Sequence, residues 1–201
     1  MFKKKNINTY IKKKNKINII DGKWKNRKII INNNYNLKPT MNIIKKILFN
    51  WLKFNIKNSV CLDCFAGSGS LGIEAISRYA SKVFFIDNNI NIIYQLKKNL
   101  KSFNYNNYNN YIININTIKW LNIKSKICFN IVFLDPPFKK NILNKIIILL
   151  EKNKYLADKS LIYIESKKKH IINLPKNWYI KKIKIIGNVL IRLYLRLNKE
   201  F

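Results

Sequence analysis

The feature that most constrains the fold is a regular alternation of short apolar runs with longer segments of helical periodicity. The apolar runs have the length of buried parallel strands, and apolar residues three and four positions apart mark the core-facing side of a helix. Alternating strands and helices predict an α/β fold with a parallel sheet and right-handed crossovers. The predicted strands are 59–63, 82–87, 111–115, 129–134 and 160–165, and the predicted helices are 70–80, 89–101 and 141–151, with a short turn near 117–121.

The carboxyl-terminal end of the chain breaks this alternation. Trp178–Ile186 and Val189–Leu197 both have the composition of strands, and Gly187-Asn188 between them is a two-residue hairpin signal. We therefore predict a seven-stranded, mostly parallel sheet that finishes in an antiparallel hairpin.

The amino-terminal segment has a different pattern. Residues 1–16 are a low-complexity stretch rich in Lys and Asn, which predicts a mobile basic arm. Residues 17–31 alternate loosely around Asp21-Gly22, a strong turn signal, and this predicts a β-hairpin. Its expected buried positions are Ile19, Ile20, Trp24, Ile29 and Ile31.

Pro39-Thr40 opens a predicted amphipathic helix that covers the main sheet. The predicted domain division is a basic disordered arm (1–16), an extension of hairpin and cover helix (17–55) and a main domain (56–201). The apolar stripe of the cover helix is Ile43, Ile44, Ile47, Leu48, Trp51 and Leu52.

The apolar run Phe129–Leu134 is followed directly by Asp135-Pro136-Pro137-Phe138. Ligand sites in open α/β sheets lie outside the carboxyl ends of strands, and the two prolines stiffen this loop and remove two backbone donors. The Asp135 carboxylate and the Pro136 carbonyl can accept both protons of an exocyclic amine, and the Phe138 ring can stack on its base. The motif predicts methylation of an amino group on a nucleobase. A tight turn after a strand is the alternative interpretation.

A second loop runs from Asp63 to Gly72, between the first predicted strand of the main domain and a helix. Glycines let the backbone approach a ligand closely, and a helix N-terminus favours negative charge. Asp87 ends the next strand, 20 residues after Gly67, where it can accept hydrogen bonds from both ribose hydroxyls of an adenosine. The adenine edge is expected at the end of the third strand. The predicted cofactor-binding residues are Asp63, Phe65, Ala66, Gly67, Ser68, Gly69, Asp87, Asn116 and Thr117.

Gly67, Gly69 and Gly72 also match the G-x-G-x-x-G fingerprint of dinucleotide-binding loops. For that fingerprint the first glycine is too far from the strand, and Asp63 would repel a pyrophosphate. The same carboxylate suits the ammonium group of S-adenosylmethionine, which we favour over NAD as the cofactor. The alternative role for Asp63 is a helix N-cap or loop acid.

The formal charge of +31 indicates a polyanionic partner, most simply nucleic acid. The chain has 36 Lys and 4 Arg and is rich in Asn and Ile, a bias of the kind that AT-rich codon usage produces. The charge therefore supports a nucleic-acid partner but indicates no sequence preference.

The three cysteines favour a reducing compartment. Cys61 and Cys64 lie in or beside an apolar strand, and His170 is the one residue that could add a fourth ligand, so we predict buried thiols and no metal site. No apolar run approaches the length of a membrane span, and the amino terminus lacks the apolar region of a secretory signal. These features predict a cytoplasmic protein without a membrane partner.

Together the motifs resemble those of the RsmD-type bacterial 16S ribosomal RNA (guanine-N2) methyltransferases, from about Ile19 to Leu195. Leu62–Ala75 is similar to the cofactor motif of that family, and Ile131–Phe138 is similar to its catalytic motif. Shorter stretches agree as well: Asp21-Gly22-Lys23-Trp24, Lys38-Pro39-Thr40, Leu48-Phe49-Asn50-Trp51-Leu52, Ile162-Tyr163-Ile164-Glu165 and Arg192-Leu193-Tyr194.

The resemblance implies a Rossmann-like class I methyltransferase fold. It implies methyl transfer from S-adenosyl-L-methionine to N2 of one guanine in 16S rRNA, either naked or in the 30S ribosomal subunit, by a monomer. It gives the catalytic role to Asp135, Pro136, Pro137 and Phe138. It also places the extension and the lysines after the catalytic motif on the RNA side, with Lys23, Trp24, Lys38, Thr40, Lys139 and Lys140 as expected contacts.

The sequence departs from the family pattern at Lys38, where an Arg is usual, and at Asn116, where an acid is common. A lysine is a point charge that cannot replace the bidentate fork of an arginine, so relaxed substrate affinity or precision is expected. Two other functions remain open. A DNA amino-methyltransferase shares the catalytic motif, although 201 residues leave little room for a target-recognition domain. A non-catalytic RNA-binding assembly factor shares the fold, although Asp135 and the cofactor loop are intact.

Overall fold

The structure is a computed structural model that describes residues 15–31, 39–104, 110–137 and 142–198. These residues form a seven-stranded sheet with helices on both faces and a two-stranded hairpin. The strands are β1 (Asn15–Asn18), β2 (Lys28–Ile31), β3 (Val60–Asp63), β4 (Lys82–Asp87), β5 (Asn110–Asn114), β6 (Phe129–Leu134), β7 (Leu156–Lys167), β8 (Trp178–Ile186) and β9 (Val189–Arg196). The helices are α1 (Pro39–Trp51), α2 (Ser70–Ser77), α3 (Ile90–Ser102), α4 (Thr117–Leu121) and α5 (Leu143–Lys152).

The strand order in the large sheet is β5-β4-β3-β6-β7-β9-β8. The first five strands are parallel, and β9 lies antiparallel between β7 and β8. The first strand of this sheet in chain order is β3, which lies in the middle. The next strands, β4 and β5, are added on one side of β3, and β6 is then added on its other side. The point between β3 and β6 is therefore the topological switch point at which such sheets bind ligands.

The predicted strands of the large sheet are confirmed, and with one exception their bounds differ by at most one residue. The exception is β7, which begins at Leu156 instead of 160 because Leu156 pairs with Phe129 beyond an irregularity in the register. The Gly187-Asn188 hairpin is also confirmed. Of the helices, α2 is shorter than predicted and ends at Ser77, shortly before Tyr79, whose φ is 67°.

The two faces of the sheet carry separate cores. Successive residues of a strand point to opposite faces, so Phe133 and Tyr163 pack with α1, α2 and the hairpin, whereas Val132 and Ile162 pack with α5. The hairpin shares its hydrophobic cluster with the main domain through Ile17, Ile19, Trp24, Ile29 and Ile31. The predicted extension is therefore packed on the sheet layer of the main domain.

The predicted amino-terminal hairpin is present, but Asp21-Gly22 is not its turn. β1 and β2 are joined by the longer loop 19–27, in which the Ile19 amide donates to the Arg27 carbonyl at 2.8 Å. Gly22 has a φ of +87°, and a Cβ there would lie 1.9 Å from the Ser77 carbonyl oxygen, so the glycine serves close docking on α2. Two residues assigned to the arm, Asn15 and Lys16, belong to β1; residues 1–14 lie outside the described residues.

A buried carboxylate joins α1, α2 and the hairpin loop. Glu74 of α2 has no exposed surface and accepts hydrogen bonds from the Ile20 amide at 2.9 Å and the Asp21 amide at 3.0 Å. It also forms ion pairs with Lys45 of α1 at 3.1 Å and with Arg78 at 2.9 Å. This junction explains why Ile20 is half-buried instead of buried as predicted.

The cover helix α1 is confirmed, with one wrong position in its predicted apolar stripe. Ile44, Leu48 and Leu52 are buried, whereas Ile43 is 53% exposed. Lys45 takes a buried place instead, and burial lowers the pKa of its ammonium despite the Glu74 carboxylate beside it.

Cys61 and Cys64 are buried free thiols, as predicted, whereas Cys128 is exposed. Burial raises the pKa of Cys61 to about 12, which leaves it unreactive at neutral pH. Across 15–31, 39–104, 110–137 and 142–198, no helix combines the length and apolarity needed to cross a membrane.

Candidate active site at the carboxyl edge of the sheet

Four carboxylates lie at the carboxyl ends of four neighbouring parallel strands. Asp87 ends β4, Asp63 ends β3, Asp135 directly follows β6, and Glu165 lies near the end of β7. The chain has nine acidic residues against 40 basic ones, so nearly half of its acids are concentrated at this edge. We call this set of four the acidic row. It lies beside the topological switch point, where a ligand is expected.

The loop between β3 and α2 is tied to the end of β4. The Gly67 amide donates to Asp87 Oδ2 at 3.0 Å, and the Ala66 amide donates to the Ile86 carbonyl at 2.9 Å. Gly67 has a φ of +50°, and a Cβ added there would meet only the Phe65 carbonyl oxygen, at 3.8 Å. The outer side of Gly67 is therefore open space beside a carboxylate, a cradle in which a ligand can approach the backbone closely.

Gly69 has the opposite surroundings. Its φ is +76°, and an added Cβ would lie 2.3 Å from Cδ1 of Leu96. This glycine lets the loop pack against α3, with Ser68 and the half-buried Phe65 on the same loop. The predicted cofactor residues 65–69 thus divide into an open side at Gly67 and a packed side at Gly69.

Asp87 has the acceptors that a ribose requires. Its Oδ2 accepts from Gly67, its Oδ1 accepts from the Asn89 amide at 2.9 Å, and the side chain is half-buried. A carboxylate has about four lone-pair sites, so each oxygen retains capacity for one hydroxyl. The arrangement fits a ribose diol at the end of β4.

Asp63 is almost fully buried and accepts a hydrogen bond from the Gly72 amide at 3.1 Å. Burial raises the pKa of this carboxyl to about 7, and the nearby Asp87 carboxylate raises it further, against the lowering effect of the Gly72 hydrogen bond. A cation placed next to Asp63 would relieve this cost, which is the chemistry of an ammonium site. The bond to Gly72, in the first turn of α2, shows that Asp63 also serves the helix start.

Asn116 and Thr117 hold the loop region together from the β5 side. The Asn116 side chain accepts from the Lys119 amide at 3.1 Å and caps α4. The Thr117 hydroxyl is buried and donates to the Cys64 carbonyl at 2.6 Å. Both side chains therefore have structural partners, and their contact with an adenine edge stays a prediction.

Asp135 is half-buried at the end of β6, with Pro136 buried and Pro137 exposed after it. Burial raises the pKa of the Asp135 carboxyl well above its usual value, and the carboxylates of Glu165 and Asp63 raise it further. Phe138 lies outside the described residues, so its stacking role stays a prediction.

Sequence reasoning missed Glu165 as a functional candidate. The register pairs Leu134 with Ile164, so Asp135 and Glu165 are the next residues on adjacent strands. The Tyr163 hydroxyl donates to Glu165 Oε2 at 2.9 Å. The sequence did contain an indication of this role: Glu165 is an acid at the end of the predicted strand 160–165, the next predicted strand after Asp135.

The two predicted RNA contacts that the structure describes in full, Lys23 and Trp24, lie away from this site. Lys23 and Trp24 dock on Ser77, at the opposite end of α2 from the cofactor loop, about 12 Å along the helix. Trp24 is buried, with its ring 4.9 Å from that of Phe103, so it packs the hairpin and is closed to base stacking. Lys38, Lys139 and Lys140 lie outside the described residues, as does the side chain of Thr40.

The strand order, the antiparallel β9 and the acid-lined switch point define a Rossmann-like class I methyltransferase fold. Residues 17–195 match the family model described as Conserved hypothetical protein 95, and the chain belongs to this family, which is the RsmD family.

Two curated relatives and one solved structure illustrate the similarity. The chain is 46% identical over 188 residues to Ribosomal RNA small subunit methyltransferase D of Buchnera aphidicola subsp. Acyrthosiphon pisum, covering 94% of this chain and 97% of the relative. It is 42% identical over 181 residues to the protein of the same name from Escherichia coli K12, with 90% of each chain covered. The solved yhhF structure of Escherichia coli superposes with a TM-score of 0.84 at 40% identity, covering 91% of this chain and 99% of that one.

Proposed function

We propose that this protein transfers a methyl group from S-adenosyl-L-methionine to the exocyclic N2 of one guanine in 16S ribosomal RNA. The observation that carries the proposal is the acidic row at the switch point. We assign the ribose acceptor to Asp87, the ammonium site to Asp63 and the amine acceptor to Asp135. Family membership and the names of the curated relatives support the RNA substrate. The 30S particle as substrate, the monomeric state and the cytoplasmic location are parts of the same proposal.

The cofactor supplies an electrophilic methyl group on a sulfonium, and the chain's own groups supply its position. Asp87 and the Gly67 backbone hold the adenosine end, and Asp63 holds the ammonium end. Asp63 ends β3, and the neighbouring strand β6 leads into Asp135, so in this proposal the ammonium end of the cofactor lies on the side of the predicted amine site. Holding two reactants in line contributes much of the rate in reactions of this kind.

The guanine amine is a poor nucleophile because its lone pair is delocalised into the ring. In this proposal Asp135 and the Pro136 carbonyl accept its two protons and thereby direct the lone pair at the methyl group. Preorganised acceptors of this kind follow the charge that develops in the transition state. The target base has to be splayed out of its RNA context to reach the edge of the sheet.

The direct test offers three substrates to the protein with S-adenosylmethionine labelled in its methyl group. These are 30S particles assembled without this modification, naked 16S RNA, and duplex or single-stranded DNA. The proposal expects label on N2 of a single guanine of the ribosomal RNA. Label on DNA would support the amino-methyltransferase alternative, and RNA binding without any label would support the assembly factor.

Asp87→Ala is expected to weaken cofactor affinity by about 1–3 kcal/mol, because the ribose hydroxyls and the Gly67 amide lose their acceptor. Titration calorimetry measures this loss. Asn89→Ala is the matched control: Asn89 caps α3 through the Asn91 amide, so its loss costs about 1 kcal/mol of stability and leaves affinity near wild type. Equal affinities for Asp87→Ala and wild type would remove Asp87 from the site.

Cofactor binding is expected to release a proton from Asp63 near neutral pH. Its pKa of about 7 in the free protein means that the carboxyl is partly protonated, and the bound cation lowers that pKa. Affinity should therefore rise with pH between about pH 6 and 7.5. Calorimetry in buffers of different ionisation enthalpy counts the protons, and Asp63→Asn should release fewer. An identical proton count in that variant would place the ammonium elsewhere.

Deleting residues 1–14 is expected to weaken RNA binding and to flatten its salt dependence, with cofactor affinity unchanged. The segment carries six lysines, and every phosphate that it no longer neutralises reduces the slope of log affinity against log salt by about 0.7–0.9. Salt titrations of RNA binding measure the slope. A chain that keeps the segment with Gln at those six positions should behave like the deletion. The modified guanine should stay the same, since phosphate contacts position and do not specify. An unchanged slope would make the segment a bystander.

A further inference from the structure

The acidic row contains one member that the proposed reaction leaves without a role. Glu165 and Asp135 follow a paired position, Leu134 with Ile164, on the neighbouring strands β6 and β7. Building on the proposed function, we propose that Glu165 is a positioning residue for Asp135, with which it shares one proton, and that it returns to water the proton that Asp135 takes from the guanine amine.

Strand geometry places the two carboxyl groups near each other. Residues paired across parallel strands share a face, and residues two apart on one strand share a face. Phe133 and Tyr163 are paired and both face the α1–α2 side, and Glu165, two residues after Tyr163 on β7, faces that side too. Asp135 follows the last residue of β6, and the influence of the Glu165 carboxylate on its pKa indicates that the two carboxyl groups are close. The two acids are therefore neighbours across adjacent strands, about 5 Å apart at the backbone.

Glu165 is fixed by its own strand. Tyr163 is fully buried, and its hydroxyl donates to Oε2 of Glu165 at 2.9 Å. This bond holds one oxygen of the Glu165 carboxyl and leaves the other for a second partner. Across from Glu165 on β9 is Ile191, which is fully buried and apolar.

Among the residues that the structure describes, the other charged groups around the pair do not neutralise it. Asp63 on β3, on the far side of β6, adds negative charge. Arg192 of β9 is paired with Ile164, on the opposite face, and its Nη1 donates to Ser166 Oγ at 3.2 Å.

Two half-buried carboxyl groups on adjacent strands influence each other's ionisation, and the Glu165 carboxylate acts on Asp135. Burial raises the pKa of Glu165, against the lowering effect of the Tyr163 hydrogen bond, and burial together with the Glu165 carboxylate raises the pKa of Asp135. Neighbouring carboxylates avoid carrying two negative charges, and their titration belongs to the pair. The proposed resting state of the pair is one proton and one negative charge.

The proton balance of the reaction follows from this state. As the N2–methyl bond forms, the bond between sulfur and the methyl carbon breaks and its electron pair stays on sulfur. N2 then carries the methyl group and two protons with a positive charge. One of these protons moves to Asp135, so the pair becomes neutral with two protons. Glu165, which is half-buried and not closed to solvent, gives one proton to water and restores the single negative charge.

The pair can be tested without any substrate. Carbon-13 NMR of the labelled carboxyl groups follows each side chain as pH changes. In wild type Asp135 and Glu165 should titrate in two coupled steps. In Glu165→Gln, Asp135 should titrate in one step with its midpoint lower by about one pH unit or more, because the like charge is gone. Asp158→Asn, an exposed acid near the other end of β7, is the control and should leave Asp135 unchanged.

A second variant, Tyr163→Phe, tests the pair independently in case Glu165→Gln does not fold. Tyr163→Phe keeps the ring in the core and removes the hydrogen bond to Glu165, so the Glu165 midpoint should rise. The inference is overturned if Asp135 titrates independently in wild type or if its midpoint does not move in folded Glu165→Gln.

Single-turnover methylation of 30S particles then tests the role in the reaction. The acidic limb of the rate profile should move to lower pH in Glu165→Gln, and the plateau should fall about tenfold as proton transfer loses its partner. Glu165→Asp, which keeps a carboxyl group, should recover the wild-type midpoint. An unchanged acidic limb overturns the proposed role. If the two carboxyl groups titrate as a coupled pair but the protein methylates no ribosomal RNA, the proposed function is overturned. The inference that the pair shares a proton would still be supported.

Discussion

Asp135→Ala is expected to slow methyl transfer by about 100-fold or more, the effect of removing one preorganised polar partner from a transition state. The variant should fold, because it removes a carboxyl whose pKa is raised by burial and which therefore carries an electrostatic cost in the folded state. Cofactor affinity should stay close to wild type, since Asp87, Gly67 and Asp63 are intact. Single-turnover rates on 30S particles measure the loss.

The control for this experiment is Asp158→Asn, which removes an exposed acid near the other end of β7. It should methylate at the wild-type rate. Calorimetry with S-adenosylmethionine on Asp135→Ala separates a chemical defect from a binding defect. A rate within a few-fold of wild type for Asp135→Ala would show that the amine is held by other groups.

Glu74→Gln is expected to lower the free energy of unfolding by about 3 kcal/mol, the scale for leaving one partner of a buried ion pair without its counter-charge. Lys45 is the charge left behind, with its ammonium 3.1 Å from the altered side chain and its other bond to the Asn18 carbonyl. The Ile20 and Asp21 amides also lose strong acceptors. Urea unfolding measures the loss, and amide hydrogen exchange at Ile20 and Asp21 should show the hairpin loop opening first.

Two further variants identify the cause of that loss. Asp21→Asn removes a surface partner of the same Arg78, at 3.4 Å and 56% exposed, and should cost less than about 1 kcal/mol. Adding Lys45→Met to Glu74→Gln removes the stranded charge and should restore part of the stability. If the double variant is less stable than Glu74→Gln alone, the bond from Lys45 to the Asn18 carbonyl stabilises the fold more than the unpaired charge destabilises it.

The parts of the fold that sequence patterns predicted are those that depend on periodicity within one element. The strands of the large sheet and the carboxyl-terminal hairpin follow from apolar runs and a Gly-Asn turn, because a buried strand must be apolar along its length. The positions of Asp87 and Asp135 followed for the same reason, since a residue at a strand end is placed once the strand is known.

The parts that sequence patterns missed depend on contacts between distant elements. Lys45 lies in a Lys-Lys pair that is typical of a solvated helix face, and nothing local indicates the Glu74 carboxylate that buries it. Asp21-Gly22 carries a hairpin signal, yet Gly22 is required by the approach of Ser77, 55 positions along the chain. Glu165 needed the pairing of β6 with β7, which follows from topology and not from composition.

The acidic row has a consequence for turnover. In the proposed reaction S-adenosylmethionine brings a sulfonium charge to four neighbouring carboxyl groups, and the demethylated product, S-adenosylhomocysteine, has lost that charge. The acidic row is therefore expected to hold the product less strongly than S-adenosylmethionine, which favours exchange after each transfer. The row is also expected to repel phosphate, so in the proposed complex the RNA backbone stays on the surrounding surface and the neutral base enters the edge of the sheet.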